Sequence, residues 1–128
     1  MRGKILIVDD EENHRKTLGI GLRLEGYDVV EADDGEMALE KLEHEAIDLA
    51  IVDLMMPGMN GLEFARRARF RYPRMRVVLT SAYHLTERQV ERAAAGVIGF
   101  VAKPYALDEL IGFLSRKLSQ PPAEVLSA

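Results

Sequence analysis

Leu49-Ala50-Ile51-Val52-Asp53-Leu54-Met55-Met56-Pro57-Gly58-Met59-Asn60-Gly61 is the stretch on which the fold turns. Its opening run, Leu49 to Val52, is short, apolar and unbroken, the pattern of a parallel strand covered on both faces. The run stops at an acid, Asp53, and Pro57-Gly58 supplies a turn. Gly61, which permits tight packing, precedes a helical pattern carried by Leu62, Ala65, Ala68 and Arg69. An acid such as Asp53 either caps the loop before a helix or serves a site. At the end of an all-apolar strand the second reading is favoured.

The same unit recurs on both sides. Lys4-Ile5-Leu6-Ile7-Val8 comes first, Asp28 to Ala32 second, Val77 to Leu79 fourth and Gly99 to Ala102 fifth. The second run carries Asp28 and Glu31, which suits an edge strand. Between the runs lie helix patterns. Leu18 and Leu22 form a stripe that ends at Gly26, and Gly19 and Gly21 weaken it from within by up to about 1 kcal/mol each. Asp34-Gly35 opens a second helix with Ala38, Leu39 and Leu42. Thr86 and Gln89 read as a capping box before the thin apolar face Val90, Ala93 and Ala94. Leu107, Leu110, Ile111, Leu114 and Leu118 make the strongest stripe. Strand and helix thus alternate five times, which predicts an α/β domain with a parallel sheet and helices on both faces. The domain is expected over residues 1–118, with 119–128 as a tail or linker, because Pro121-Pro122 does not continue a helix.

Ligands of such sheets bind beyond the carboxyl ends of the strands. Asp9 and Asp10 follow the first strand, Asp53 the third, Thr80 and Ser81 the fourth, and Lys103-Pro104 the fifth. If those strands are neighbours, three carboxylates share one depression, where like charges repel unless a cation compensates. Hard oxygen ligands with room for water suit magnesium. A carboxylate nucleophile, a lysine and a hydroxyl then fit phosphoryl transfer to Asp. In isolation each has a plainer reading: Asp9 and Asp10 as helix-start acids, Thr80 as a sheet hydroxyl, Lys103 as a surface charge and Phe100 as a core aromatic.

Composition narrows the alternatives. With no Cys, disulfides, thiolate zinc sites and thiol catalysis are excluded, and a cytoplasmic setting is expected. His14, His44 and His84 lack metal-ligand spacing. There is no Ser–His pair for acyl transfer and no glycine-rich phosphate loop. No run approaches a membrane span. A net charge of −4 argues against nucleic acid binding, and the cluster Arg66, Arg67, Arg69, Arg71, Arg74 and Arg76 is read as a solvated helix face and loop.

Ile7-Val8-Asp9-Asp10, Val52-Asp53 through Gly61, Leu79-Thr80-Ser81-Ala82 and Phe100-Val101-Ala102-Lys103-Pro104 together resemble the motif set of response-regulator receiver domains, in the same order and over residues 4–118. The resemblance implies a flavodoxin-like sheet in the order 2-1-3-4-5. It implies Asp53 as the phosphoacceptor. It places magnesium on Asp10, Asp53 and the backbone carbonyl of Met55, with Asp9 acting through water. Lys103 would pair with the phosphoryl oxygens, Thr80 would be the mobile hydroxyl and Phe100 the switch aromatic, and the Lys103–Pro104 bond would be cis.

The implied function is a two-component switch, phosphorylated by a sensor histidine kinase or a phosphotransfer protein. It would be a signalling phosphoacceptor that catalyses only its own phosphorylation and dephosphorylation. An added charge of roughly −1.5 to −2 would draw Thr80 inward, and the face made by the Thr86–Ala94 pattern, the fifth strand and the last helix would respond. That thin helix pattern suits an element of low local stability. An output domain beyond Ala128 and a homodimer through the fourth and fifth helix patterns are further expectations. Met55 and Ala82 stand at positions that tune phosphoryl lifetime, and neither side chain can orient a water. The main rival is a receiver-fold binding module that works without phosphorylation. A magnesium phosphatase would want an acid where Met55 stands, and a flavin carrier would not place Asp9-Asp10-Glu11-Glu12 at its phosphate loop.

Overall fold

The structure is a computed structural model that describes residues 2–82 and 97–119. Its elements run β1 (Lys4–Val8), α1 (Glu12–Leu24), β2 (Asp28–Ala32), α2 (Gly35–His44), β3 (Leu49–Asp53), α3 (Gly61–Arg71), β4 (Arg76–Ser81), β5 (Val97–Ala102) and α4 (Leu107–Leu118). The capping box at Thr86 and Gln89, the apolar face that follows it and His84 lie outside the described residues, as do residues 120–128.

The five strands are parallel and ordered β2-β1-β3-β4-β5, the order the resemblance implies, with β2 at an edge. Alternate side chains divide the core. Leu6, Val8, Ala50, Val52, Val77 and Leu79 face the layer of α2 and α3, whose contribution centres on Ala38, Leu42 and the fully buried Phe64. Ile5, Ile7, Leu49, Ile51 and Val78 face α1 and α4, through Leu18, Leu22, Leu110 and Leu114. Both faces are thus covered, which is why these strands carry no polar alternation.

Local signals place the helix ends. Gly26 takes φ +96° just past α1, a left-handed conformation in which glycine carries no Cβ penalty. The Asp34 carboxylate accepts from the Met37 N–H at 2.7 Å, and the Asn60 side-chain Oδ1 accepts from the Glu63 N–H at 2.9 Å, so α2 and α3 each start on a side-chain cap. Gly21, costly for an isolated helix, has a packing reason. A Cβ there would lie 2.8 Å from Leu107, so its absence lets α1 and α4 close on each other.

Several strand bounds differ from the sequence-based ones, β5 beginning at Val97 and two others moving at the site. β4 extends through Ser81 and β3 includes Asp53, so Thr80 stands within a strand, in register with Asp53, instead of after it. Backbone pairing with the neighbouring strand holds both residues in the sheet, and the Leu54 N–H donates to the Thr80 carbonyl at 2.8 Å. Phe100 packs against the α2–α3 core but is only half-buried, so it is a core-margin aromatic.

Candidate functional site

β1 and β3 are neighbours, so the residues that leave their carboxyl ends, Asp9 and Asp53, emerge side by side. Both are buried, whereas Asp10 is exposed. Asp9, Asp10 and Asp53 each present a carboxylate oxygen within 4.8 Å of the others. Lys103 arrives from the end of β5, where its N–H donates to the Ser81 carbonyl at 2.8 Å and the bond to Pro104 is cis. Its ammonium lies 3.2 Å from Asp9 Oδ2 and 3.2 Å from Asp53 Oδ2. Thr80 is buried on the neighbouring strand.

Each carboxylate is also tied to the chain beside it. Asp9 Oδ1 accepts from the Glu11 N–H at 2.9 Å, and Asp53 Oδ1 accepts from the Met55 N–H at 3.1 Å. Asp9 therefore does serve the turn into α1, the plainer role foreseen for it, while its other oxygen faces Lys103. Burial pushes the Asp53 carboxyl above its ordinary range; Lys103 and the Met55 N–H pull against that, and Asp9 adds to it. For Lys103 burial pulls the other way, but the Asp9 and Asp53 charges outweigh it and hold the ammonium above its ordinary value. The lysine is charged at neutral pH, and one cation serves two acids.

This is a strand-end cluster on a doubly covered parallel sheet, and a family model for the response regulator receiver domain matches residues 5–115. The chain belongs to the response regulator receiver domain family. Response regulator protein FleR of Pseudomonas aeruginosa is 36% identical over 116 residues, which are 91% of this chain and 24% of that protein. A CheY-like receiver domain from Methanospirillum hungatei is 31% identical with a TM-score of 0.85, over 91% of this chain and 94% of its own. TrrA of Thermotoga maritima, solved in complex with Mg(2+)-BeF, is 35% identical with a TM-score of 0.79, over 91% of this chain and 98% of its own. This receiver domain spans less than half the length of the curated relatives it matches, 24% to 46%. It is a signalling module of two-component systems. Among the described residues no helix is long and apolar enough to cross a membrane.

The donor set of the receiver site fits a hard divalent cation. Lys103 engages Asp9 and Asp53, and among the described residues the Asp10 carboxylate has no hydrogen bond or ion pair, so negative charge remains at the solvent-facing side of the cluster. Three carboxylate oxygens with an open side match the habit of magnesium, which retains water. A cleft of about 680 Å³ leads from Asp10, Asp53 and Lys103 along α1 to Leu18, Tyr105 and Leu107. Met55 and Ala82 also line it, and Met55 is 54% exposed, unlike the buried Met56 and Met59.

Two residues of the site escape a reading by motif. Tyr105 forms part of the cleft wall, and burial, with the Asp9 and Asp53 charges, raises its hydroxyl against the pull of Lys103, so it stays a neutral phenol. Arg15 donates to the Asp9 backbone carbonyl at 2.7 Å and to Glu31 of β2 at 3.2 Å. The only sequence signal for that brace was an acid, Glu31, within the strand Asp28-Val29-Val30-Glu31-Ala32. His14 pairs with Glu11 on the surface, and His44 is exposed.

Glu31 also meets Lys16 at 3.3 Å and Arg23 at 3.4 Å. Burial alone would raise its carboxyl, but the three cations outweigh burial and lower it. Its contribution to stability is therefore complete above its ordinary value of 4.5 and is lost as the pH falls through the lower folded value. Glu31→Gln is expected to cost about 1–2 kcal/mol at neutral pH, allowing for solvent screening of Lys16 and Arg23. Urea unfolding as a function of pH should show this deficit constant down to about pH 4.5 and shrinking below it.

Proposed function

We propose that this receiver domain is a phosphorylation-activated switch in which the Asp53 carboxylate attacks phosphorus in the phosphohistidine of a sensor kinase or phosphotransfer protein. The new bond joins Asp53 oxygen to phosphorus, and the bond from phosphorus to the histidine nitrogen breaks, its electron pair passing to that nitrogen, which takes up a proton from solvent. The observation that carries this reading is Lys103 placed 3.2 Å from both Asp9 and Asp53 beside a third carboxylate, Asp10, that has no ion pair among the described residues.

Asp10, Asp53 and the Met55 carbonyl, with Asp9 through water, would hold a magnesium ion, which supplies charge neutralisation for the phosphoryl oxygens. Lys103 is the cation that takes up phosphoryl oxygens once Asp53 is an acyl phosphate. Thr80 is in register with Asp53 on the neighbouring strand, and the half-buried Phe100 would fill the space Thr80 leaves. The responsive face would include β5 and α4; the Thr86–Ala94 pattern assigned to the same face lies outside the described residues. The switch would act in the cytoplasm and pass its signal to an output domain or partner.

The test is intact mass after incubation with acetyl phosphate, with and without magnesium. A single magnesium-dependent phosphoryl adduct is expected on the wild type and none on Asp53→Ala. No adduct on a folded wild type would point instead to a binding module that works without phosphorylation.

Met55 and Ala82 line the cleft beside Asp53 without a polar group to orient an attacking water. A long-lived adduct is expected. Loss of the added mass within seconds of donor removal would refute that expectation, and Met55→Asn should shorten the lifetime.

A further inference from the structure

Away from the strand-end site, α2 and α3 lie next to each other on one side of the sheet and present opposite charges. On α2, Glu36, Glu40 and Glu43 recur at the spacing of one helical stripe, and all are exposed. On α3, Arg66 and Arg67 are exposed one turn before Phe70, which is 90% exposed, the most of any large hydrophobic among the described residues. Arg71 bridges to Glu43 at 3.4 Å, so the acidic and basic stripes run side by side. Arg67 is partly occupied by Glu63 at 3.2 Å. Glu36, Glu40 and Arg66 make no ion pair among the described residues.

We propose that this surface is an isologous interface, the α2–α3 face of one chain docking on the same face of a second copy. A two-fold axis over the groove between the helices lays each acidic stripe on the partner's basic stripe, and it does so twice. Self-complementarity of this kind is what closed two-fold symmetry requires, and a partner of unrelated sequence would not need both stripes. Phe70, exposed in the last turn of α3, is then covered by the partner, and an aromatic in a helix rich in arginine has the composition of an interface hot spot. The face is separate from β5 and α4, so phosphorylation of Asp53 and assembly through α2–α3 are independent claims.

Sedimentation equilibrium of the 128-residue chain decides the matter. At low ionic strength and protein concentrations up to about 0.5 mM, a dimer is expected that loosens as salt screens the stripes. Two charge-reversed chains are then compared, one carrying Glu36→Lys with Glu40→Lys and the other Arg66→Glu with Arg67→Glu. Each alone should dimerise at least about 10-fold more weakly. An equimolar mixture should recover a mixed dimer, because each reversed stripe then meets its opposite; misfolded chains would not recover. Phe70→Ala should weaken the dimer about 10-fold at any salt concentration. A wild type that stays monomeric throughout overturns the proposal and leaves the face to a partner of different sequence. Reversed chains that dimerise like the wild type, or a mixture that does not recover, overturn it equally.

Discussion

Lys103→Ala is expected to slow phosphoryl uptake from acetyl phosphate by about 100-fold or more, the scale on which one charge-stabilising donor is lost from a reacting centre. The ammonium sits 3.2 Å from both Asp9 and Asp53, and no second cation reaches Asp53 Oδ2 among the described residues. Its removal also leaves two buried carboxylates facing each other. A stability loss of about 1–3 kcal/mol follows at neutral pH, less than for a sealed pair because the cluster opens to water at Asp10. The sign of the pH dependence is fixed by the lysine. Its folded value lies above its ordinary 10.5, so its contribution is complete below 10.5 and is lost as the pH rises through the folded value. The gap between wild type and Lys103→Ala in urea unfolding should therefore close in alkali. It should close again in acid, once the carboxylates protonate and no longer repel. A gap unchanged across pH would mean that Lys103 packs there without holding the acids. Rates for the two proteins within a factor of about 3 would remove it from the proposed chemistry.

The second large effect falls on a residue with no side chain. A Cβ on Gly61 would lie 2.7 Å from the Asp53 carbonyl oxygen and 2.9 Å from Leu54 Cα. Both obstacles are backbone, so no rotamer change relieves them. α3 must shift, or the end of β3 must, and that end carries the proposed phosphoacceptor. Gly61 also donates its N–H to the Leu54 carbonyl at 2.9 Å, so the shift breaks a bond as well. Gly61→Ala should cost about 2–3 kcal/mol, a fall in melting temperature on the order of 10 °C. Misplacement of Asp53 should slow acetyl phosphate labelling by up to about 100-fold. Gly58→Ala is the control. Gly58 has φ +76° but nothing within 4 Å of a Cβ, so the change costs backbone strain of about 1–2 kcal/mol without pressing on Asp53. If both variants label at the wild-type rate, close approach at Gly61 is not what positions the acid.

Much of this was open to a reader of the chain alone. Leu49 to Val52 announced a doubly covered strand because a strand buried on both faces has no polar position to reveal. Gly26 and Asp34 marked helix ends because capping depends on groups within a few residues of one another, whereas the cap that Asn60 supplies to α3 was not read from the sequence. Phe64 was missed as a core residue, although it is fully buried, because the arginines around it dilute the helical stripe. Thr80 was placed just after the fourth strand, with a sheet hydroxyl as its plainer reading, because the ladder that extends β4 is formed with β3 and β5, which no local pattern records. Arg15 was passed over for the same reason: of its two partners, Asp9 lies just past β1 and Glu31 lies on β2.

The sequence by itself determined the alternation of strands and helices, and it determined that acids, a hydroxyl and a lysine stand where strands end. These follow from periodicity, caps and turn residues, all settled by sterics and hydrogen bonding over a few bonds. Tertiary structure decided which ends meet. Lys103 reaches across 94 residues to Asp9 and 50 to Asp53 only because β1, β3, β4 and β5 are adjacent in that order. A set of apolar parallel strands is compatible with several orders, and the choice is made by how the helices pack on both faces. The same packing set Gly61 against the Asp53 backbone and laid an acidic helix stripe beside a basic one, two arrangements that exist only once the layers have closed.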